Sequence, residues 1–374
     1  MPDSFKGTIT SAEICEIMSV GIKKHFPACK TVSVPVADGG EGSADSFLSA
    51  IGGKKICTEC ADPFFNRIGG YFALLDTEMP TAVIELAIAS GITLAAKALN
   101  PEITTTYGVG ELIKAALDHG AKKIILALGG SSTNDFGCGA AAALGVRFLN
   151  KKGECFIPTG GTLCEVEKID LSKADKRLEK VELVSMCDVS NPAYGEKGAA
   201  YVFAPQKGAD DACVKRLDSG LRHICGVVSN CLNKKVDELP GGGAAGAMGA
   251  GMYAFFGFKL MPGIDILLDT VNIEQLAQNA DMIITGEGCI DPQTLGGKVI
   301  SGISCRAKKL GIPVMAVVGG AKEGIDEIYD RGVCAVFTTN RLPRPLSEDT
   351  ERCKSDLAFA FDNIIRLIKM KENR

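Results

Sequence analysis

The chain has 374 residues with 41 basic and 45 acidic side chains, so its formal net charge is −4. This near balance gives no excess of positive charge of the kind that binds nucleic acid or an anionic membrane surface. Hydrophobic residues at 46% and charged residues at 23% are typical of ordinary globular proteins. At about 100–200 residues per domain, the length predicts two domains.

Cysteine is abundant, but its 15 residues are odd in number and scattered along the chain. Cys57 and Cys60 have the spacing of a zinc ligand pair, yet a second such pair and a neighbouring histidine are lacking. The N-terminus does not show the charged and then apolar pattern of a signal peptide. We therefore expect reduced thiols in a cytoplasmic protein.

An uncharged stretch at residues 239–258 is long enough to cross a bilayer, at about 1.5 Å per residue of helix. Pro240 and a run of glycines leave it with few side chains that could face lipid. We interpret the stretch as a glycine-rich loop that leads into a buried helix, and we expect no membrane association.

Predicted helices and strands alternate along most of the chain. Thr10 and Glu13 have the spacing of a capping box ahead of an apolar helical stripe, which predicts a first helix. Further helices are predicted at residues 43–51, 108–119, 136–144, 209–232, 298–310, 325–330 and 347–370. Strands are predicted at residues 31–36, 69–75, 81–86, 123–128, 181–186, 281–285, 313–318 and 333–338, of which 69–75 and 81–86 form an antiparallel hairpin. The pattern predicts an α/β fold with a parallel sheet covered by helices.

Several predicted strands end in loops that are rich in glycine and acidic residues. Such loops follow the strands at residues 31–36, 123–128 and 281–285, and a glycine pair follows 313–318. Glycine allows backbone N–H groups to approach a phosphate, and the N-terminus of a following helix favours negative charge. Carboxylates beside a phosphate require a cation between them, so the loops indicate a nucleotide with Mg²⁺. Each loop taken alone is equally well explained as a simple turn.

Familiar signatures of other nucleotide enzymes and of hydrolases are missing. The chain has no GxxxxGK[ST] motif, and the glycine pairs at Gly108 and Gly137 lack the third glycine of a dinucleotide fingerprint. The HRD motif of protein kinases and the GxSxG motif of serine hydrolases are also absent. These absences disfavour a P-loop protein, a dehydrogenase and a hydrolase triad.

Seven short blocks, in order and over nearly the whole chain, resemble the bacterial glycerate kinases of the non-P-loop type. The blocks are Pro2-Asp-Ser-Phe-Lys-Gly7, Ala37-Asp-Gly-Gly-Glu-Gly42, Thr104-Thr-Thr-Tyr-Gly108, Gly129-Gly-Ser-Ser-Thr-Asn-Asp135, Cys187-Asp-Val-Ser-Asn-Pro192, Pro205-Gln-Lys-Gly208 and Ile284-Thr-Gly-Glu-Gly288. Each block is weak alone, but seven in register are a specific signal.

The resemblance implies an ATP- and Mg²⁺-dependent transfer of a phosphoryl group to a hydroxyl of D-glycerate, with the 2-hydroxyl favoured. It also implies two interwoven α/β domains, with the site in the cleft between them. One domain would be flavodoxin-like, with a Rossmann-like parallel sheet, and the other would have a mixed sheet likened to restriction-enzyme folds. We expect residues 1–65 and 260–374 to form the first domain and residues 66–259 the second.

Three residues are the candidates for catalysis. Asp188 follows a predicted strand, and an aspartate accepts the hydroxyl proton in other kinases, so we expect it to be the base. Lys6 is the candidate for contact with phosphate or with the glycerate carboxylate. Asp38 could hold Mg²⁺ directly or through water.

The remaining candidates divide by ligand. Substrate contacts are expected from Ser131, Ser132, Thr133, Asn134, Asp135 and Asn191; nucleotide contacts from Gly39, Gly40, Gly286, Glu287, Gly288 and Lys298; and metal contacts from Asp38, Glu41, Glu287 and Asp291. Glu41 could instead cap a helix, and Asn191 could simply form a turn before Pro192. Lys207 is a weaker phosphate candidate that could equally be a surface lysine.

Two departures from the family pattern stand out. Family members usually have a short strand before the first block, and here Met1 precedes it directly, so we expect that strand to be absent and the fold to be less stable. Cys289 stands where the family commonly has arginine, so a phosphate contact from that side chain is lost or supplied elsewhere.

Other functions remain open at this level. A kinase of another small hydroxy acid or polyol would share the glycine loops. A non-catalytic regulator that binds a nucleotide or a phosphosugar would need those loops but not the clustered acids.

Overall fold

The computed structural model describes residues 1–5, 7–36, 39–40, 42–292, 294, 299–341 and 350–372. The chain divides into two compact units. Unit 1 comprises Met1–Asp38 and Ile264–Arg374, and unit 2 comprises Gly39–Gly263. The chain therefore leaves unit 1, builds all of unit 2 and then returns, as expected for interwoven domains.

Helices and strands alternate through both units. The helices are α1 (Ser11–His25), α2 (Ser43–Ile51), α3 (Leu86–Ser90), α4 (Ile92–Ala95), α5 (Tyr107–Asp118), α6 (Cys138–Ala143), α7 (Ala199–Phe203), α8 (Asp211–Leu232), α9 (Ala244–Phe256), α10 (Gly263–Thr270), α11 (Ile273–Leu276), α12 (Val299–Leu310), α13 (Glu327–Asp330) and α14 (Thr350–Glu372). The strands are β1 (Gly53–Ala61), β2 (Arg67–Leu75), β3 (Thr81–Glu85), β4 (Lys123–Ala127), β5 (Arg147–Leu149), β6 (Cys155–Phe156), β7 (Lys168–Asp170), β8 (Glu182–Met186), β9 (Lys259–Met261), β10 (Ile283–Thr285), β11 (Cys289–Ile290), β12 (Val314–Val318), β13 (Gly320–Ala321) and β14 (Val333–Thr338). Short 3₁₀ turns lie at Gly160–Glu165, Lys176–Lys180 and Pro205–Lys207.

Unit 1 contains a parallel sheet in the order β10-β12-β14. Residues 1–3 lie beside β10, because the Met1 amino group donates to the Ile284 carbonyl at 2.7 Å and the Asp3 N–H donates to the Gly286 carbonyl at 2.7 Å. Helices α1 and α14 pack together over buried apolar residues that include Ile14, Met18, Leu357 and Phe361. The β-α alternation predicted for the C-terminal third is confirmed.

Unit 2 is built on a mixed sheet in the order β1-β2-β3-β4-β8-β9. Strands β3, β4, β8 and β9 run parallel, whereas β1 and β2 are antiparallel to their neighbours. The predicted hairpin of β2 and β3 is confirmed. Because β3, β4 and β8 are parallel neighbours, their carboxyl ends at Glu85, Ala127 and Met186 meet at one edge, and ligands bind at this edge in open α/β sheets.

Three expectations differ from the structure. Residues 31–36 form no strand among the described residues, and Pro35, the fifth residue of that run, has no N–H to donate to a sheet. Strand β1 was not predicted, because its lysines, threonine and glutamate hide the apolar alternation. Since β1 pairs along its whole length with β2, residues 39–65 group with unit 2 rather than with the first domain as we had assigned them.

The uncharged stretch at residues 239–258 contains the buried helix α9, as expected from its glycine-rich start. Within the part of the chain that the structure describes, each helix is either too short or too polar to span a bilayer.

Candidate active site

Two of the predicted glycine loops touch each other in unit 2. The Gly129 N–H donates to the Gly39 carbonyl at 2.9 Å. A side-chain carbon on Gly129 would lie 2.5 Å from the Cα of Gly40, and one on Gly39 would lie 3.2 Å from the Cβ of Met186. Only glycine allows backbone to approach backbone this closely. The loop before α2 and the loop after β4 therefore meet at the carboxyl ends of β4 and β8.

Hydroxyl groups stabilise the polar loop after β4, residues 131–135, through hydrogen bonds to backbone carbonyls. The Thr104 hydroxyl donates to the Ser132 carbonyl, and the Ser132 hydroxyl donates to the Ser90 carbonyl, each at 2.9 Å. Ser132 and Thr104 are both buried. Ser132, which we expected to contact substrate, thus serves to fix the loop.

Asp135 is fully buried and organises two segments. Its Oδ2 accepts hydrogen bonds from the N–H and the hydroxyl of Thr106, both at 2.8 Å, and from the Gly139 N–H at 3.2 Å. Its Oδ1 accepts from the Gly137 N–H at 3.1 Å. Burial raises the pKa of this carboxyl, and the N–H donors act in the opposite direction. Asp135 therefore ties the segment before α5 to the start of α6, which assigns it a structural role in place of the expected substrate contact.

Lys207 is also buried, with only 2% of its surface exposed. Its Nζ donates to the Ser131 hydroxyl oxygen at 2.8 Å and to the Thr133 carbonyl at 2.6 Å. Burial lowers the pKa of this ammonium to about 7, and the nearby charge of Asp135 opposes that shift. Lys207 is therefore not the surface lysine that the sequence left open, and its ammonium faces the polar loop.

Buried polar atoms without a partner concentrate in the same region. Among the described residues, nothing bonds the Thr133 hydroxyl, the amide oxygen and nitrogen of Asn134, or the Ser185 hydroxyl. Leaving a buried polar group unpaired costs about 1–3 kcal/mol, so groups of this kind are rare and mark sites where a ligand or water bonds. Thr133 and Asn134 were predicted as substrate contacts, whereas Ser185 on β8 was missed.

The loop after β8 carries Asp188 and Asn191. Asp188 is exposed, and its Oδ1 accepts a hydrogen bond of 2.8 Å from the N–H of Gly263, the last residue of unit 2. The Asn191 side chain donates to the Lys197 carbonyl at 2.7 Å, so it stabilises the loop.

The glycine-rich segment around the start of α9 packs against both polar loops, a role that the sequence analysis missed. A side-chain carbon on Gly243 would lie 2.2 Å from the Pro192 carbonyl, and one on Gly246 would lie 2.1 Å from the Thr133 carbonyl. Ala245, Gly246 and Ala247 all have positive φ, at 55°, 65° and 65°. Two alanines in this region store backbone strain of the kind that gathers at functional sites. The glycine run itself was the signal that could have revealed the segment.

Glu85 at the end of β3 is a second missed residue. Its buried carboxylate accepts hydrogen bonds from the N–H groups of Gly42 and Ala44, at 3.0 and 2.7 Å. These donors lie at the N-terminus of α2, where the sequence predicted an anion-binding helix end. At Gly42 and Ala44 that expectation is wrong, because a carboxylate of the protein already occupies the donors.

Unit 1 carries the last predicted loop. Gly286 lies so close to β12 that a side-chain carbon would be 1.9 Å from the Val317 carbonyl. The mostly buried Glu287 accepts a hydrogen bond of 2.6 Å from the Thr294 hydroxyl, and Asp291 pairs with Lys322 at 3.3 Å. Among the described residues, no three acidic, histidine or cysteine side chains cluster in a way that could hold a metal ion.

Four predicted site residues lie outside the described residues: Lys6, Asp38, Glu41 and Lys298.

Comparison with known proteins agrees with this architecture. The sequence profile of the glycerate kinase family matches residues 1–369. A glycerate kinase of Bacillus cereus is 41% identical over 100% of this chain and 98% of its own length, and the glycerate 2-kinase of Escherichia coli K12 is 38% identical over 98% and 94%. A crystal structure from Salmonella typhimurium LT2, of a protein named as a glycerate kinase 2, has a TM-score of 0.89 at 35% identity and covers 100% of this chain and 98% of its own. This chain belongs to the glycerate kinase family.

Proposed function

We propose that the protein transfers the γ-phosphoryl group of ATP to a hydroxyl of D-glycerate and releases 2-phosphoglycerate. The observation that carries this proposal is the full-length similarity to glycerate kinases, one of them a glycerate 2-kinase. The polar loops at the carboxyl edge of the unit 2 sheet supply hydroxyl, amide and carboxylate groups suited to a small hydroxy acid. A cytoplasmic location is also proposed, because the 15 cysteines are odd in number and scattered along the chain, which is typical of reduced thiols.

Asp188 is the proposed base. In phosphoryl transfer the protein mainly positions the reactants and offsets charge on the phosphoryl oxygens, and an aspartate accepts the proton of the attacking hydroxyl. The Gly263 N–H orients this carboxylate while leaving the side chain exposed. Because this carboxylate is already exposed, it can accept a proton from a bound hydroxyl without any rearrangement of the core.

The proposed substrate contacts narrow to Ser131, Thr133 and Asn134. Ser132 and Asp135 bond to the protein itself, and Asn191 supports its own loop. Asn134 offers one acceptor and two donors, which match the hydroxyls and the carboxylate of glycerate. An amide that stays unpaired within the described protein has a physical reason to be present if it bonds to substrate.

For the nucleotide, we propose contacts from Gly39, Gly40, Gly286, Gly288, Glu287 and Lys298, and for Mg²⁺ contacts from Asp38, Glu41, Glu287 and Asp291. Carboxylate oxygens are the ligands that Mg²⁺ prefers, and the ion is commonly held by one or two carboxylates together with substrate phosphates. Glu287 and Asp291 fit that donor set without a cluster of three acids. When bound, the ion neutralises phosphate charge.

The experiment is a coupled assay with ATP, Mg²⁺ and D-glycerate, in which phosphorus NMR identifies the phosphorylated position. A panel of glycerate, lactate, tartronate and glycerol separates a glycerate kinase from a kinase of another hydroxy acid or polyol. Binding of ATP without any turnover would favour a non-catalytic regulator and would refute the proposal.

Asp188→Asn tests the base. We expect kcat to fall by roughly 10²–10⁴-fold, because general base catalysis contributes about that much, while KM and thermal stability change little. Asp211→Asn, an exposed acid at the start of α8, is the control. If Asp188→Asn keeps nearly full turnover, another group is the base.

A further inference from the structure

Lys207 bonds to the polar loop in a way that fixes the direction of a hydrogen bond. A protonated lysine has three N–H donors and no acceptor. While Lys207 carries its proton, below its pKa of about 7, the Ser131 oxygen at 2.8 Å from Nζ must therefore accept. The proton of the Ser131 hydroxyl consequently points away from the ammonium, toward some other acceptor.

Ser131 is placed to offer that proton outward. Among the described residues, none accepts the Ser131 hydroxyl proton within hydrogen-bond distance. Ser131 is 8% exposed, whereas its neighbours Ser132 and Thr133 are 1% and 0% exposed. It is thus the member of this polar run that a ligand reaches most directly. A ligand atom that meets this hydroxyl must be an acceptor.

The charge of Lys207 favours the same kind of ligand. Its ammonium is directed at Ser131 and at the Thr133 carbonyl, whereas the buried carboxylate of Asp135 is bonded by Thr106, Gly137 and Gly139. The positive charge of Lys207 therefore lies next to Ser131 and Thr133, whereas the negative charge of Asp135 lies among the groups that donate to it. Away from bulk water, such a charge acts on a nearby anion more strongly than it would at the surface.

We propose that Lys207 is a positioning residue that makes Ser131 a hydrogen-bond donor and gives this loop its preference for a carboxylate over a neutral group. The inference rests on the proposed function and deepens it, because it assigns the acid group of the substrate to the Ser131 end of the loop. Lys207 itself does not touch substrate and acts through Ser131.

The competing explanation is that Lys207 only holds the loop in place. A structural role would affect an acid and its uncharged analogue equally. The proposed role would affect the acid more. D-glyceramide, in which a carboxamide replaces the carboxylate of D-glycerate, is the probe that separates the two.

The experiment measures kcat and KM for both compounds, and their Kd by calorimetry without ATP, in the wild type, Lys207→Met, Ser131→Ala and Lys234→Met. Lys234 is a matched control, because it too has a pKa lowered by burial and donates to two backbone carbonyls, those of Tyr253 and Ala254. A hydrogen bond to a charged group contributes enough to change affinity by roughly tenfold to a hundredfold. We expect Lys207→Met to weaken the binding of glycerate by that factor and to change the binding of glyceramide little. Lys234→Met should leave the preference for the acid intact.

The proposal would be overturned if Lys207→Met weakened the binding of glycerate and of glyceramide equally, or if it lowered kcat alone. If Lys207→Met does not fold, Ser131→Ala decides, because it keeps the ammonium and removes the hydroxyl through which the ammonium is proposed to act; an unchanged acid-to-amide ratio then refutes the idea. A wild type that binds glycerate better than glyceramide but does not phosphorylate it would refute the proposed function and leave this inference standing.

Discussion

Gly129→Ala tests whether the contact between the two glycine loops is needed for activity. The added carbon would lie 2.5 Å from the Gly40 Cα and 2.7 Å from the Gly39 carbonyl oxygen. Both neighbours are backbone atoms, so neither can rotate away as a side chain would. The φ of Gly129 is not in the left-handed region, so the effect is purely steric.

The expected magnitude follows from that geometry. Relieving contacts at 2.5 and 2.7 Å requires the loops to separate by about 1 Å, because carbon atoms pack at about 3.5–4.0 Å and part of the strain spreads to neighbours. Overpacking of this kind costs about 1–3 kcal/mol, which lowers the Tm of a unit of this size by roughly 2–4 °C per kcal/mol. A displacement of about 1 Å in a catalytic arrangement can reduce the rate by roughly a hundredfold.

Gly226→Ala is the matched control. Gly226 lies on the exposed face of α8, and a carbon added there meets no atom within 4 Å. We expect this variant to gain about 0.5–1 kcal/mol, because alanine favours a helix over glycine. Thermal denaturation and kcat/KM for glycerate are measured for both variants. Wild-type activity in a folded Gly129→Ala protein would refute the assignment of this contact to the active site.

Three further predictions follow from buried charges. Glu85→Gln should lower the free energy of unfolding by about 1–3 kcal/mol in urea titrations, because it removes the negative charge of the carboxylate that accepts hydrogen bonds from two N–H groups at the start of α2; a stability equal to that of the wild type would contradict the capping role. Lys207 has a pKa of about 7 in the folded protein, below its ordinary value of 10.5. Between these two pH values the unfolded chain binds more protons than the folded one. The free energy of unfolding should therefore rise with pH in that window, by up to about 1.4 kcal/mol per pH unit. Lys207→Met lacks this contribution, and parallel stability curves for the two proteins from pH 7 to 9 would disprove it. Glu287→Gln should increase several-fold the Mg²⁺ concentration that gives half-maximal rate, whereas Asp281→Asn, at an exposed acid in the same unit, should not. If the rate of Glu287→Gln depends on Mg²⁺ as the wild-type rate does, Glu287 does not bind the metal.

Local signals in the sequence were sufficient for most helices. The capping box of α1 is present as predicted, since Glu13 donates its N–H to the Thr10 hydroxyl at 3.3 Å and accepts from the Thr10 N–H at 2.9 Å. Helix α2 and strand β14 have the predicted bounds. These elements depend on residues a few positions apart, so the sequence contains the information directly.

Long-range contacts explain what could not be predicted. Lys207 sits in a short Pro-Gln-Lys-Gly turn that is typical of a protein surface, and its burial depends on Ser131 and Thr133, about 75 positions earlier in the chain. Glu85 ends an apolar strand, and its partners at the start of α2 lie more than 40 positions away. Single residues in a sequence give no sign of which distant donors they will meet.

The polar residues at the carboxyl edge of the unit 2 sheet are poorly explained by stability alone. A scaffold would gain by replacing Asn134 with an apolar residue, because both ends of its buried amide lack a partner among the described residues. It would gain again by avoiding a buried lysine whose charge is opposed by desolvation and by avoiding alanines at positive φ. All three unfavourable features lie in or against one loop, residues 131–135, rather than scattered through the unit. Their concentration is expected of a binding site, where bonds to a ligand offset what the folded protein alone leaves unsatisfied.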